Sequence, residues 1–109
     1  MILFQILFEV SEERRAAFEK AYREVFQPAL AKQAGFVTSK LLRLYPAATI
    51  REIEGLPSEF NYEFNFVFET EDARRKWAKS AEHDVAWPVV RDLAKKVGWR
   101  GYDVVVASD

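Results

Sequence analysis

From Phe60 to Glu69 the chain reads FNYEFNFVFE, and every second residue as far as Phe68 is aromatic. A strand turns alternate side chains to opposite faces, so Phe60, Tyr62, Phe64, Phe66 and Phe68 share one face. Asn61, Glu63, Asn65, Val67 and Glu69 share the other. Five rings on one face demand a second layer to bury them. The chain has 109 residues, the size of a single domain spanning 1–109. A domain of this size buries roughly two-thirds of the surface its unfolded chain exposes.

The remaining elements follow from local signals. Ile2 to Glu9 is short and β-rich, with Ile2, Phe4, Ile6 and Phe8 on one face and Leu3, Gln5, Leu7 and Glu9 on the other. Both faces carry apolar groups, so this strand is expected to be covered on both sides. Ser11 is a good N-cap, with Glu12 and Glu13 where the helix dipole favours acid. Ala17, Phe18, Ala21, Tyr22, Val25 and Phe26 then recur at helical spacing. Pro28 is expected to kink or end that helix near Gln27, with a short continuation through Leu30 and Gln33, and Gly35 reads as the C-terminal cap. A second strand is expected from Phe36 to Tyr45. The stretch from Ala47 to Glu59 reads as a long, partly irregular hairpin connection. Thr70 caps a helix running to about Lys79, and Ser80 opens another toward Val97. Pro88 is expected to bend that helix and Gly98 to end it, before a last strand from Tyr102 to Ala107.

Strand, helix, strand, strand, helix, strand is the ferredoxin-like βαββαβ order of an α+β domain, with a four-stranded antiparallel sheet in two layers. Helices cover one face of such a sheet. Half of the residues are hydrophobic and nine are Phe, so the bare face needs a cover. A second copy of the chain is the simplest one, which predicts a homodimer.

Composition excludes several functions. Sixteen basic and seventeen acidic residues are interspersed, and the isoelectric point is near 5.9. Nucleic-acid binding asks for a basic face. There is no cysteine, so disulfides and thiolate metal sites are absent, and one histidine is too few for a His-based zinc site. The apolar start MILFQILFEV lacks a basic leader and a cleavage site. No apolar run reaches the roughly 20 residues of a membrane span. A cytoplasmic location without membrane contact is the expectation.

No phosphate loop, nucleophile elbow or zinc spacing occurs. The most informative segment is Trp77 to Pro88, which sets the only histidine between two of the three tryptophans. His83 and Trp87 are four apart and share a helix face. A near-neutral imidazole in an aromatic pocket serves as a general base or as a metal ligand, such as a single axial haem ligand; a lone His near a helix start also serves as a capping or packing residue. Trp77 and Trp87 read as core or pocket wall. Asn61 and Asn65, with Glu63, would orient a carbonyl or phenol if their face lines a cavity, and are ordinary strand exteriors if it faces solvent. Tyr62 and Tyr45 offer hydroxyls to a pocket, and Gln5 is a lone polar group in an apolar strand. Glu71 to Lys79 reads as a solvated helix face.

Gly35-Phe36 at the entry to the second strand, the aromatic third strand ending Phe68-Glu69-Thr70, and the run Ala73 to His83 together resemble the antibiotic-biosynthesis monooxygenase-like family of dimeric α/β barrels. The stretch from Trp77 to His83 is the sharpest part. The resemblance implies a ferredoxin-like fold, paired sheets, and a pocket between sheet and helices in each subunit. Some members oxygenate phenolic or anthrone substrates without metal or flavin. That implies catalysis by His83 with Asn61 or Asn65 holding an oxyanion, a small aromatic, phenol- or quinone-like substrate held by Trp77, Trp87, Tyr62 and Gln5, and no cofactor. Other members degrade haem with an Asn on the first strand, a Trp and a His. Here the first strand carries Gln5 and no Asn. A ligand-binding protein for a small apolar molecule would use the same pocket without His83 chemistry.

Overall fold

The computed structural model describes residues 1–108. Four strands form one antiparallel sheet in the order β2-β3-β1-β4. They are β1 (Ile2–Glu9), β2 (Phe36–Arg43), β3 (Tyr62–Phe68) and β4 (Lys96–Asp103). Helices α1 (Arg15–Ala21), α2 (Gln27–Ala31), α4 (Glu71–Ala78) and α5 (Ala81–Arg91) belong to the two crossovers, and α3 (Ala47–Glu52) lies between β2 and β3. This is the ferredoxin-like α+β arrangement.

β1 sits at the centre and pairs with β3 from Ile2↔Phe68 to Phe8↔Tyr62, and with β4 from Ile2↔Asp103 to Glu9↔Lys96. In β3 burial alternates residue by residue, as the aromatic pattern demands. Phe64, Phe66 and Phe68 are at most 1% exposed, together with Phe8 from β1, Phe18 from α1, and Phe26 and Leu30 beyond it. Their rings interlock: Phe8 and Phe64 centroids are 4.5 Å apart, Phe26 and Phe64 4.8 Å, and Phe8 and Phe18 4.9 Å. Tilted and edge-on contacts of this kind are favourable beyond the area they bury. The aromatic stripe therefore meets the helices.

The structure corrects four local expectations. Pro28 does not stop the first helix. The chain widens into a π turn over Tyr22–Phe26, with the Gln27 N–H donating to the Tyr22 carbonyl, and Pro28 then takes an early position in α2, where its missing N–H is harmless. The connection after β2, expected as a partly irregular hairpin link, contains α3; Pro46 starts it, buried Ile50 anchors it, and the Gly55 N–H closes it on the Ile50 carbonyl at 2.8 Å. β2 ends at Arg43, and β3 begins at Tyr62. The last strand comes earlier than expected. α5 ends at Arg91, Lys95 donates to the Glu9 carbonyl at 2.8 Å, and Gly98 and Gly101 lie within β4 opposite Leu7 and Phe4. Gly98 is not a helix cap: an added Cβ would sit 3.5 Å from the Phe60 ring. Val104 to Ser108 are outside any strand.

The other sheet face carries Leu3, Gln5 and Leu7 from β1, half-buried beside Val67, Asn65 and Glu63 from β3. Among the described residues no helix packs there. No helix among the described residues is long and apolar enough to cross a membrane.

Candidate functional site

Two helix starts build the His–Trp group. The Thr70 side chain accepts from the Ala73 N–H at 3.1 Å and opens α4, which carries buried Trp77 in its last turn. Ser80 then does two things at once. Its hydroxyl donates to the Trp77 carbonyl at 2.8 Å and accepts from the His83 N–H at 3.1 Å, ending one helix and starting the next. That turn brings His83 back onto Trp77, with ring centroids 5.0 Å apart and planes at 82°. One helical turn later Trp87 lies nearly parallel to the imidazole, 17° from it at 6.2 Å. Trp99 from β4 extends the row, 6.3 Å from Trp87. It was not singled out from sequence because the helix-to-strand boundary was placed too late, which hid its position opposite Ile6.

The His83 side chain is 24% exposed. Burial lowers its pKa from the ordinary 6.5, and Asp84, with its oxygen 4.0 Å from Nδ1, offsets part of that. The imidazole is therefore neutral at pH 7 and able to accept a proton. Behind it the space between sheet and helices is filled by Phe8, Phe26, Phe64 and Trp77. Trp87 touches Phe8 at 6.0 Å and Phe26 at 6.4 Å, so the His–Trp group forms the rim of the core. Trp99 is 61% exposed and leaves that rim open to solvent.

The structure brings His83, Trp77 and Trp87 together, and it separates Asn61, Asn65 and Gln5 from them. Strand alternation is the reason: Gln5 and Asn65 are a cross-strand pair on the helix-free face. There the Gln5 amide donates to a Glu63 oxygen at 3.0 Å, and the Asn65 amide donates to the same oxygen at 3.3 Å. The amide oxygens of Gln5 and Asn65 are buried without a partner. Asn61 is committed to the backbone: its side chain accepts from the Val10 N–H at 2.9 Å and donates to the Val10 carbonyl at 2.8 Å, joining the ends of β1 and β3. Tyr62 lies on the helix side but away from His83. Its hydroxyl donates to Glu19, to which Arg43 also donates at 3.1 Å. Burial, then the bond to Glu19, raises the Tyr62 pKa and keeps it a neutral phenol.

The helix face from Glu71 to Lys79 is solvated at Asp72, Arg75, Lys76 and Lys79, as its charges imply, and Arg74 is the exception. Arg74 folds back over the Phe4 ring at 4.7 Å and grips Glu71 through two bonds of 2.6 and 2.8 Å. The Arg74 guanidinium chiefly holds the Glu71 carboxyl down at about 2. Among the described residues no three His, Asp or Glu gather as metal ligands.

Compared by sequence alone, the chain matches no family model and no curated protein. Its fold is closely similar to known structures. A variant of SnoaB, a cofactor-independent oxygenase from Streptomyces nogalater, superposes with a TM-score of 0.76 at 20% identity over 97% of this chain and 94% of that one. A candidate antibiotic biosynthesis monooxygenase from Caulobacter crescentus gives 0.75 at 16% identity, over 96% and 90%. A dimeric ferredoxin-like protein of unknown function from Bacteroides fragilis gives 0.70 at 14%, over 94% of both chains. At these identities the likeness is one of fold, the fold of antibiotic biosynthesis monooxygenase-like structures.

Proposed function

We propose that this chain is a homodimeric, cofactor-independent monooxygenase for a small phenol- or quinone-like aromatic molecule, with His83 as its base. The observation that carries this reading is the placement of the His83 ring between Trp77 and Trp87 at an open rim, where burial lowers its pKa. A flat apolar substrate stacks on Trp87 and Trp99, and His83 takes the proton that frees an electron-rich anion. That anion reduces dioxygen directly. For an activated methylene, one oxygen atom becomes the new carbonyl, the other leaves as water, and the two hydrogens lost from carbon balance it. The solved oxygenase structures with this fold support the reaction class.

Within one subunit Asn61 and Asn65 do not reach this site, so the proposal gives them no catalytic contact. Gln5 and Asn65 belong instead to the face on which a second copy would pack. Their unpartnered amide oxygens are acceptors that a partner's donors would satisfy.

Turnover of anthrones or hydroquinones under oxygen, followed by product spectra, tests the reading. Wild-type turnover that a His83→Ala variant lacks is expected; equal turnover by the variant removes the base. The exposed ring of Trp99 beside Trp87 serves equally a second reading, binding of an apolar molecule at the same rim without chemistry. In that case tryptophan quenching by the ligand survives in His83→Ala and no product forms. Haem degradation fits the residues poorly. The resemblance asks for an Asn on β1, whereas Gln5 faces away from His83 and is bonded to Glu63.

A further inference from the structure

A second constellation lies apart from the His–Trp group, between the start of α1 and the ends of β2 and β3. It is a cleft of about 680 Å³ whose lining includes Arg15, Glu19, Leu41, Arg43, Tyr45 and Tyr62. That volume is within the range of small-molecule sites. None of His83, Trp77 and Trp87 lines it. The rings of Phe18 and Phe8 stand between, with Phe18 5.1 Å from Tyr62 and Phe8 6.0 Å from Trp87.

We propose that this cleft binds a small aromatic carboxylate. The charges decide the sign of the ligand. One Glu19 oxygen accepts from both the Tyr62 hydroxyl and Arg43 Nη1, so the carboxylate is already matched to one cation. Among the described residues Arg15 has no carboxylate partner, which leaves one positive charge in excess at the cleft wall. The Arg43 guanidinium has five N–H donors and places one on Glu19, so its planar fork is oriented with donors to spare. An oriented fork is the group that grips a carboxylate through two bonds. Tyr62 is only 2% exposed, and its fixed hydroxyl holds Glu19, which in turn holds Arg43. The rest of the wall decides the ligand's body. Tyr45 is 61% exposed and offers an open ring face for stacking, beside the methyl groups of Leu41. This site is independent of the oxygenase reading, because nothing in it involves His83.

Benzoate is the probe, titrated into the whole protein by calorimetry. Saturable one-site binding is expected, weakening by about tenfold or more in Arg43→Gln and in Arg15→Gln. Arg43→Lys retains the charge without the fork and falls between. Benzyl alcohol, with the ring but no charge, binds at least about tenfold more weakly. His83→Ala binds benzoate like the wild type. Both arginines are exposed, and Arg15→Gln carries the test if Arg43→Gln loses the fold by circular dichroism. No saturable binding, binding unchanged in the arginine variants, or binding lost in His83→Ala overturns the proposal.

Discussion

The imidazole of His83 lies almost parallel to the indole of Trp87, their centroids 6.2 Å apart at 17°. This stacking sits at the rim of the core, where partial burial lowers the His83 pKa below 6.5. The rate of any His83-dependent turnover should therefore fall, as pH drops, around a pKa below 6.5, because only the neutral imidazole accepts a proton. His83→Ala should lose about 10²- to 10⁴-fold in kcat. A rate flat from pH 8 to 5 would remove His83 as the base.

The same shift predicts a stability change with a definite sign. In the unfolded chain His83 titrates near its ordinary value of about 6.5, and in the folded chain it titrates lower. As pH falls through 6.5 the unfolded state takes up a proton that the folded state resists, so stability declines until both are protonated. His83→Asn lacks this proton. Urea midpoints at pH 8 and pH 5 should show wild type losing more than the variant; parallel losses would mean the histidine is not desolvated.

Ser80 deserves its own variant, because one hydroxyl joins Trp77 and His83. Ser80→Ala removes the cap of α5 and should cost about 1 kcal/mol. For a domain of this size that is roughly 4–8 °C in Tm. The aromatic coupling should loosen as well, seen as reduced near-ultraviolet circular dichroism from the tryptophans. An unchanged Tm would show that the cap is dispensable.

Gly35 holds φ at +82°, and an added Cβ would stand 2.8 Å from the Ala73 Cβ on α4. Backbone strain and side-chain collision both oppose Gly35→Ala, which should destabilise by about 1–3 kcal/mol. Combining it with Ala73→Gly removes the collision and leaves the strain, so recovery beyond that caused by Ala73→Gly alone should be partial. A neutral Gly35→Ala would contradict the close approach of the β2 entry to α4.

Much of this was legible in the residues, and the gaps have physical causes. The period-two aromatics of β3 and the caps at Thr70 and Ser80 are short-range signals, and the structure follows them. β4 was misplaced because KKVG imitates a helix end; its strand character comes from pairing with β1 across most of the chain. The His83–Trp77–Trp87 grouping was readable because it lies within one helix pair. The Arg43–Glu19–Tyr62 group was not, since Arg43 and Tyr62 lie 24 and 43 positions from Glu19 and meet it only through the fold. The separation of Asn65 from His83 needed one further fact, that the aromatic side of β3 faces the helices.

That fact leaves the helix-free face with Leu3, Leu7 and Val67 around the Gln5–Glu63–Asn65 cluster. A sheet face with buried, unpartnered amide oxygens and half-buried leucines fits a second copy of itself, related by a two-fold axis. Leu7→Glu places a new carboxylate there opposite Glu63, its register partner on β3. Like charges in a closing interface cost more than an exposed leucine does. Sedimentation equilibrium should give a dimer for the wild type and a monomer for Leu7→Glu, with the far-ultraviolet spectrum retained. A wild-type monomer would leave this face for another partner, and a dimeric Leu7→Glu would place the interface elsewhere on the chain.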